Sequence, residues 1–349
     1  MSVPDRPSPG DLIGEEDADL APLLDRTVTV LGYGTMGRAH ALNLRDAGIR
    51  VVVGARRDST RCEVARREGF PVEEPAAAVG AGDVVAMMLP DDAMAGVYRS
   101  VVAPALRPAA ALAFAHGFAV AFGQVTPEPG RACFLAAPKG QGDALRAAVV
   151  AGGGLPGLLA VSDGSPPGTW ALAAAYARAV GCLRGGGLAT TFRDECVADQ
   201  FGEQVVLCGG VVELLQAAFD TLVGRGYSAE NAYFECVHEL KIITDLLHRH
   251  GVDGMRRRIS GTAAYGGLTR GPRVVDASVR ATMGVILDEI ESGRFAAEFL
   301  ARHDDPQHGT AALAAREAAS PLAAAGRALA ARMRALDPVH RPDSEEEDQ

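Results

Sequence analysis

Short apolar runs alternate with amphipathic stretches along the first half of the chain. Between Thr27 and Cys182 the apolar runs are VTVLG, VVVGA, VVAMMLP, ALAFAHG, CFLAAPK and LLAVS. Each run has the length of a buried strand, and the stretches between them have a helical period. This alternation predicts βαβ units that build a parallel sheet with helices on both faces, an α/β fold of the Rossmann type.

Beyond Thr190 the apolar runs lengthen and take a helical period, as in DQFGEQVVLCGGVVELLQAAFDTLV and AYFECVHELKIITDLLHRH. The second half is therefore predicted to be all-α. The Gly-rich stretch LRGGGLATTF separates the two patterns. We predict a Rossmann domain over residues 25–188 and a helical domain over residues 189–335. Polar, charged tails at residues 1–24 and 336–349 are expected to be disordered.

Composition narrows the class of protein. Of the 349 residues 48% are hydrophobic, and the formal net charge of −10 lacks the basic field that a nucleic-acid surface needs. The six cysteines form no CxxC pair, which argues for reduced thiols in a cytosol. The N-terminus does not have the pattern of a signal peptide, and we find no apolar run long enough to span a bilayer. We expect a cytoplasmic protein with neither nucleic-acid nor membrane partners.

A glycine-rich turn follows the first apolar run. It reads Gly32-Tyr33-Gly34-Thr35-Met36-Gly37 and leads into a helical stretch. Glycines at this spacing between a strand and a helix allow a tight turn and let the backbone approach a pyrophosphate at the helix N-terminus. The turn therefore predicts a dinucleotide-binding site.

The residues after the second apolar run indicate which dinucleotide binds. Arg56, Arg57, Ser59 and Arg61 supply guanidinium groups and a hydroxyl that can bind a 2′-phosphate, where an NAD site usually has an acidic residue. This pattern favours NADPH. Asp58 lies in the same cluster, so NADH stays an alternative, and some of the arginines could be solvated loop residues.

Two pairs of carboxylates lie on apolar stretches of the second half. Asp199 and Glu203 are four residues apart, as are Glu235 and Glu239, so each pair lies on one face of a predicted helix. Because their flanks are apolar, we expect part of each pair to face a packed interior, where a shared divalent cation would relieve the repulsion. Oxygen ligands suit Mg²⁺ or Mn²⁺ better than zinc. The alternative is two solvated acidic faces.

Several segments resemble the ketol-acid reductoisomerases of the short class, which have a single helical domain. The segments are GYGTMGRAHALNLRDAG, ALAFAHGF, APKG, DQFGEQVVLCGG, AYFECVHELK and ISGTAAYG, and they run in the family's order from Gly32 to Gly266. The resemblance implies an oxidoreductase of branched-chain amino-acid synthesis that uses NADPH and Mg²⁺. It also implies a Rossmann domain followed by a knotted helical domain that pairs with its mate in a homodimer.

The resemblance assigns roles to individual positions. Asp199 and Glu203 match the family's first pair of metal-binding carboxylates, and Glu235 and Glu239 match the second pair, which the partner subunit supplies. By the same match the residues with catalytic roles are His116, Lys139, Glu203, Glu239 and Ser260. To the substrate we assign Ser260, Ala263 and Cys208, and to the cofactor Leu89, Pro90, Asp91 and Gly142. Without the resemblance, His116 would be read as an ordinary buried histidine and Lys139 as a surface lysine.

The implied chemistry has two steps. Two Mg²⁺ ions bridged by Asp199 would hold the substrate's hydroxyl and carbonyl oxygens, so that an alkyl group migrates to the polarised carbonyl carbon. Hydride from NADPH would then reduce the new ketone. The implied substrates are 2-acetolactate and 2-aceto-2-hydroxybutyrate, and the products are 2,3-dihydroxy acids.

The chain departs from the family's pattern beside these residues. The family's PKGPGH, TETDLFGEQ and SNTAEYG become PKGQGD, CVADQFGEQ and SGTAAYG. The altered positions include Gln141, Asp143, Val197, Gln200, Gly261 and Ala264. The ligands are retained, but an altered rim can admit another substrate. One alternative is therefore a paralogue that acts on a different small keto or hydroxy acid, and another is a catalytically silent binding protein.

Overall fold

The computed structural model describes residues 7–336, which divide between two compact units, Met1–Asp199 and Gln200–Gln349. The strands of the first unit are Leu12–Ile13 (β1), Thr27–Leu31 (β2), Arg50–Gly54 (β3), Val72–Glu73 (β4), Val84–Met87 (β5), Ala111–Phe114 (β6), Cys133–Pro138 (β7), Gly157–Val161 (β8) and Gly187–Ala189 (β9). Its helices are Ala21–Leu24 (α1), Thr35–Asp46 (α2), Thr60–Arg67 (α3), Pro75–Ala81 (α4), Asp91–Val97 (α5), Ala103–Ala105 (α6), Phe118–Ala121 (α7), Gly142–Val150 (α8), Thr169–Val180 (α9) and Phe192–Gly202 (α10), the last of which runs on into the second unit. A 3₁₀-helix, Glu15–Asp17, and a π-helix, Tyr98–Val102, complete the first unit.

The strands form one nine-stranded sheet in the order β1-β9-β8-β7-β6-β5-β2-β3-β4. All six apolar runs predicted as strands are strands. The six strands β7, β6, β5, β2, β3 and β4, which are adjacent in this order, are parallel to one another. Strand β8 is antiparallel to β7, because the chain re-enters the sheet from the opposite end after α8. The sheet is therefore mostly parallel rather than wholly parallel, and the Rossmann-type prediction is confirmed in this form.

Alternate residues of the central strands are buried on opposite faces of the sheet. Val28 and Val30 belong to one apolar cluster, whereas Leu31, with Val85 and Met87 of the neighbouring strand, belongs to the other. A strand buried on both faces needs apolar residues at every position, which explains the continuous apolar runs in the sequence.

The segment before the Rossmann strands is folded from residue 12 onward. Leu12 and Ile13 pair with Leu188 and Gly187, so that β1 covers the edge of β9, and Leu23 is fully buried. An uncovered edge strand leaves backbone groups unpaired, and a two-residue strand is enough to satisfy them. The prediction of a disordered tail is therefore wrong for residues 12–24, while residues 1–6 and 337–349 lie outside the described part.

The second unit is all-α, as predicted. Its helices are Gly210–Val223 (α11), Ala229–Tyr233 (α12), Leu240–Arg256 (α13), Gly261–Val274 (α14), Ala277–Glu291 (α15), Arg294–Arg302 (α16), Thr310–Ala318 (α17) and Pro321–Leu336 (α18). Two π-helical turns, Glu203–Leu207 and Phe234–His238, interrupt the α-helical pattern. The knot that the resemblance implies stays a prediction.

In the single chain, the second unit leaves many large apolar side chains exposed. Leu207, Ile242 and Leu268 are more than half exposed. By length and composition alone, the helical run Phe192–Val223 could cross a membrane, because it contains an apolar window of 18 residues, so the expectation that no apolar run is long enough is wrong. One such run is weak evidence for a membrane protein. What the exposed side chains indicate is a surface that another protein chain can cover.

Candidate active site

Four polar or glycine positions follow four neighbouring parallel strands. Gly32 comes directly after β2, His116 follows β6, and Lys139 follows β7. Asp91, at the start of α5, comes shortly after β5. Since parallel strands place their carboxyl ends at one edge of the sheet, these residues lie along a common edge, where α/β folds bind ligands.

Two cationic and two carboxylate side chains meet at this edge. Lys139 Nζ donates hydrogen bonds of 2.8 Å to both Glu195 Oε1 and Asp199 Oδ1. His116 Nδ1 lies 3.4 Å from Glu195 Oε2 and 3.5 Å from Asp199 Oδ2. The Glu195 side chain is 1% exposed, whereas those of Lys139, His116 and Asp199 are 33%, 28% and 25% exposed. Glu195 is therefore the buried member of the cluster, and the other three side chains are partly accessible to solvent.

Helix α10 brings the two carboxylates to the sheet edge. Glu195 and Asp199 are one helical turn apart and so lie on the same face. Phe192, at the start of α10, packs edge-on against Phe114 of β6, with ring centroids 6.1 Å apart. The Gly117 backbone N–H donates to Glu195 Oε2 at 2.8 Å, and a Cβ at Gly117 would lie 2.5 Å from the Phe192 carbonyl oxygen. Only glycine permits this approach, which fixes α10 beside His116.

The oppositely charged groups of the cluster shift the pKa values of Glu195, His116 and Lys139 in favour of their charged forms. Burial raises the pKa of Glu195, but hydrogen bonds and charges from His116 and Lys139 outweigh burial and hold that pKa below its usual value. Burial lowers the pKa of His116, yet hydrogen bonds with Cys196 and Glu195 and the charge of Glu195 raise it to about 11. The pKa of Lys139 is likewise raised by Glu195 and Asp199 against the effect of burial. In the ion-free cluster His116 and Lys139 are therefore both cations at neutral pH, and they face the Glu195 carboxylate.

Glu195 is a site residue that was not predicted from the sequence. The i, i+4 spacing of Asp199 and Glu203 extends back by one turn to Glu195, and this row was the available signal. The predicted domain boundary at residue 188 also hid it. The first unit ends only at Asp199, because Phe192, Glu195 and Cys196 are buried in that unit.

The glycine turn has the close approaches that its sequence predicts. Gly32 has a φ of +98°, and a Cβ there would lie 2.3 Å from the Met88 carbonyl oxygen. Gly34 is the N-cap of α2, and Gly37 packs directly on Gly32. A Cβ at Gly142 would lie 2.3 Å from the Thr35 carbonyl oxygen, so α8 begins against the start of α2.

The arginines after β3 differ in their surroundings. Arg57 Nε lies 2.9 Å from Glu74 Oε1, and Arg56 Nε lies 4.0 Å from Asp58 Oδ1; both arginine side chains are more than four-fifths exposed. Arg61 Nη1 lies 3.3 Å from the position that a Cβ on Gly34 would take. Arg61 is therefore the arginine of this group that reaches the glycine turn, and Ser59 is the N-cap residue of α3.

The other predicted metal-binding carboxylates lie beside π-helical turns of the second unit. Glu203 opens the turn Glu203–Leu207, Glu235 lies within Phe234–His238, and Glu239 follows directly. All three are exposed in the single chain. The expectation that part of each pair faces a packed interior is therefore wrong there for Glu235 and Glu239, whereas Asp199 of the first pair is partly buried. Their apolar neighbours stay uncovered as well. Regular α-helical spacing is also wrong at these positions, and π-turns occur frequently at functional sites.

The predicted substrate residues lie in the second unit too. Ser260 is the N-cap of α14, where its Oγ accepts a hydrogen bond of 3.2 Å from the Ala263 backbone N–H. Cys208 is exposed at the end of the π-helical turn Glu203–Leu207. These positions establish a capping role for Ser260, and the contacts of Ser260, Ala263 and Cys208 with substrate stay predictions.

The residues fit a divalent cation only in part within the first unit. Among residues 7–336, one group of metal-ligating side chains has all its ligand atoms within 4.8 Å of one another, namely His116, Glu195 and Asp199. Glu195 is enclosed by three donors, and Lys139 holds a positive charge against both carboxylates. Asp199 is therefore the ligand that the first unit can offer, and a Mg²⁺ site needs further carboxylates. The carboxylates of Glu235 and Glu239 are exposed and have no hydrogen bond or ion pair within the described residues.

Comparison with known proteins identifies both halves of the chain. Residues 22–186 match the acetohydroxy acid isomeroreductase NADPH-binding domain, and residues 192–335 match the ketol-acid reductoisomerase C-terminal domain. The chain is 44% identical over 286 residues to the ketol-acid reductoisomerase (NADP(+)) of Petrotoga mobilis, which covers 82% of this chain and 87% of that protein.

Solved structures agree with this match. An NADH-preferring ketol-acid reductoisomerase from an uncultured archaean aligns with a TM-score of 0.88 and 36% identity, over 94% of this chain and 99% of that one. A semialdehyde dehydrogenase NAD-binding protein from Cupriavidus necator aligns with a TM-score of 0.58 and 20% identity, over 77% of this chain and 98% of that one, a likeness of fold alone. The family resemblance read from the sequence is confirmed.

Proposed function

Because the chain belongs to the ketol-acid reductoisomerase family, we propose that it converts 2-acetolactate and 2-aceto-2-hydroxybutyrate into 2,3-dihydroxy acids in the cytoplasm, using NADPH and Mg²⁺. The observation that carries the proposal is the cluster of His116, Lys139, Glu195 and Asp199 at the same sheet edge as the glycine turn. A site for charged, oxygen-rich ligands thus lies along the edge that would bind the dinucleotide.

The bound groups would supply the reactive chemistry, Mg²⁺ by polarising the substrate oxygens and NADPH by providing hydride. Asp199 would hold Mg²⁺ together with Glu203 and with the partner subunit's Glu235 and Glu239. Glu195, which accepts a hydrogen bond of 2.8 Å from Lys139 Nζ, would hold Lys139 in place beside the ion.

Lys139 and His116 would act as proton-bearing hydrogen-bond donors beside the reacting oxygens. Lys139 Nζ carries a proton and is partly accessible, so it can donate a hydrogen bond to the oxygen on which negative charge develops during reduction. Glu195 orients Lys139 and His116 through its two oxygens. The role of Glu195 is therefore to position the two proton-bearing groups.

A homodimer is the second part of the proposal. The exposed apolar side chains of the second unit need a cover, and a second copy would provide one while completing each metal site. Asp199→Asn and Glu239→Gln are each expected to be inactive as homodimers. If the subunits exchange, mixing the two should restore about a quarter of native activity, since half the dimers are hybrid and one of their two sites is intact. Exchange without rescue would contradict a shared site.

The test of the activity is NADPH oxidation with Mg²⁺ and 2-acetolactate, run beside a panel of 2-keto acids. We expect turnover of acetolactate that stops when EDTA is added and that Asp199→Asn lacks. The exposed neighbour Asp194→Asn is the matched control and should retain native activity. Turnover of keto acids without acetolactate would favour a paralogue with another substrate, and binding without any turnover would favour a silent protein.

A further inference from the structure

The Glu68 carboxylate bonds one residue of the glycine turn and one residue of the helix that follows it. Tyr33 Oη donates a hydrogen bond of 2.5 Å to Glu68 Oε2. Arg38 Nε and Nη2 both donate to Glu68 Oε1, at 2.9 and 2.6 Å. Tyr33 lies between the first two glycines of the turn, and the Arg38 backbone N–H bonds the Gly34 carbonyl oxygen at 2.8 Å. Glu68 therefore links the turn to the first turn of α2.

The surroundings favour this arrangement over a solvated tyrosine. Tyr33 is 5% exposed, and its ring packs edge-on against Phe70 with centroids 5.9 Å apart. The Arg45 guanidinium stacks 4.7 Å from the centre of the Phe70 ring and donates to the Glu68 carbonyl oxygen. Burial and the bond to Glu68 raise the pKa of Tyr33, so the phenol stays a donor. The expected contact of Tyr33 with cofactor is therefore limited to its backbone.

Helix α3 connects this carboxylate to the arginine that reaches the turn. Glu68 is the C-cap residue of α3, and Arg61 lies in its first turn. Arg61 approaches the backbone of Gly34 at one end of the helix, while Glu68 grips Tyr33 and Arg38 at the other. The helix is thus bonded to the glycine turn through Glu68 at its C-terminal end and lies close to Gly34 at its N-terminal end, so its position fixes where the Arg61 guanidinium lies.

We propose that Glu68 is a positioning residue that holds α3 against the glycine turn and so places Arg61 for the 2′-phosphate of NADPH. The inference rests on the proposed use of NADPH. It makes selectivity for NADPH over NADH depend on a carboxylate that itself touches neither the phosphate nor the reacting atoms. Loss of the Glu68 bonds frees α3 to shift, which weakens the contact of Arg61 with the 2′-phosphate, a group that NADH lacks.

The test measures Kd values for NADPH and NADH on the native dimer, Glu68→Gln and Tyr33→Phe, by quenching of tryptophan fluorescence or calorimetry, without turnover. For Glu68→Gln we expect the Kd for NADPH to rise about tenfold and that for NADH about twofold, since a displaced Arg61 weakens its charge-assisted bond to the 2′-phosphate, a group that NADH lacks. Tyr33→Phe keeps the ring against Phe70 and should give a smaller shift in the same direction. It also serves if Glu68→Gln does not fold.

Asp83→Asn is the matched control. Asp83 bonds Arg107 at 2.6 Å and the Thr27 backbone N–H at 2.8 Å, at the amino end of β5 and so at the opposite edge of the sheet. A purely structural loss should lower stability in Asp83→Asn and Glu68→Gln alike, with an unchanged ratio of the two Kd values. A native ratio in both Glu68→Gln and Tyr33→Phe would overturn the proposal. Native protein that binds neither dinucleotide would instead contradict the use of NADPH.

Discussion

Replacing Glu195 by glutamine is the perturbation that tests the candidate site most directly. Glutamine keeps the volume of the side chain and one carbonyl oxygen for the Gly117 backbone N–H, which now bonds at 2.8 Å. It removes the negative charge, and its amide N–H₂ would meet the Lys139 ammonium, which now donates at 2.8 Å. Of the two carboxylates that contact these cations, only Asp199 would then remain.

The expected cost follows from burial. Removing one partner of a buried ion pair costs about 3–5 kcal/mol, because the remaining charge is left uncompensated. Glu195 is 1% exposed, but the Lys139 side chain is 33% exposed and keeps Asp199, so water and the second carboxylate screen part of the loss. We expect a loss of about 2–3 kcal/mol in the free energy of unfolding, or roughly 5–10 °C in Tm for a unit of this size.

The assay is urea and thermal denaturation in EDTA, so that ion-free proteins are compared. Asp194→Asn is the control, since Asp194 is exposed one residue earlier on α10, and it should change stability by less than about 1 kcal/mol. Equal stability of Glu195→Gln and Asp194→Asn would refute the view that the buried Glu195 charge stabilises the cluster.

Three further predictions concern other parts of the chain. Burial lowers the pKa of His40 from 6.5 to about 3, so only the unfolded chain binds this proton as pH falls below 6.5. Between pH 7.5 and 5 the free energy of unfolding, measured in urea, should therefore fall by about 2 kcal/mol more for native protein than for His40→Gln, and an equal fall in both would contradict this. Arg61→Gln should raise the Kd for NADPH about tenfold and leave NADH nearly unchanged, whereas Arg57→Gln, whose guanidinium pairs with Glu74, should bind both like the native protein; equal effects would show that Arg61 does not discriminate. Mg²⁺ should raise the Tm of native protein but not of Asp199→Asn above that in NaCl of equal ionic strength, and identical native curves in both salts would count against a metal site.

Local sequence predicted the parts of the fold that depend on neighbours along the chain. The six apolar runs became strands because a strand buried on both faces requires apolar residues throughout. The glycine turn was predictable for a similar reason, since Gly32 needs a positive φ and a side chain there would meet the Met88 carbonyl oxygen. Family motifs added His116 and Lys139, which no local rule would have selected.

Contacts between distant segments decided the rest. No local pattern marks Leu12 and Ile13 as a strand, because their only reason to be one is the open edge of β9. Glu195 is buried in the site because Phe192 packs on Phe114 and Gly117 leaves room for α10. Arg61 and Arg57 carry the same charge in the sequence, and only the position of α3 separates the one at the glycine turn from the one paired with Glu74. The sequence by itself determined which residue types were present and which short elements they form. Tertiary structure decided which charges meet, because burial and proximity depend on packing between segments far apart in the chain.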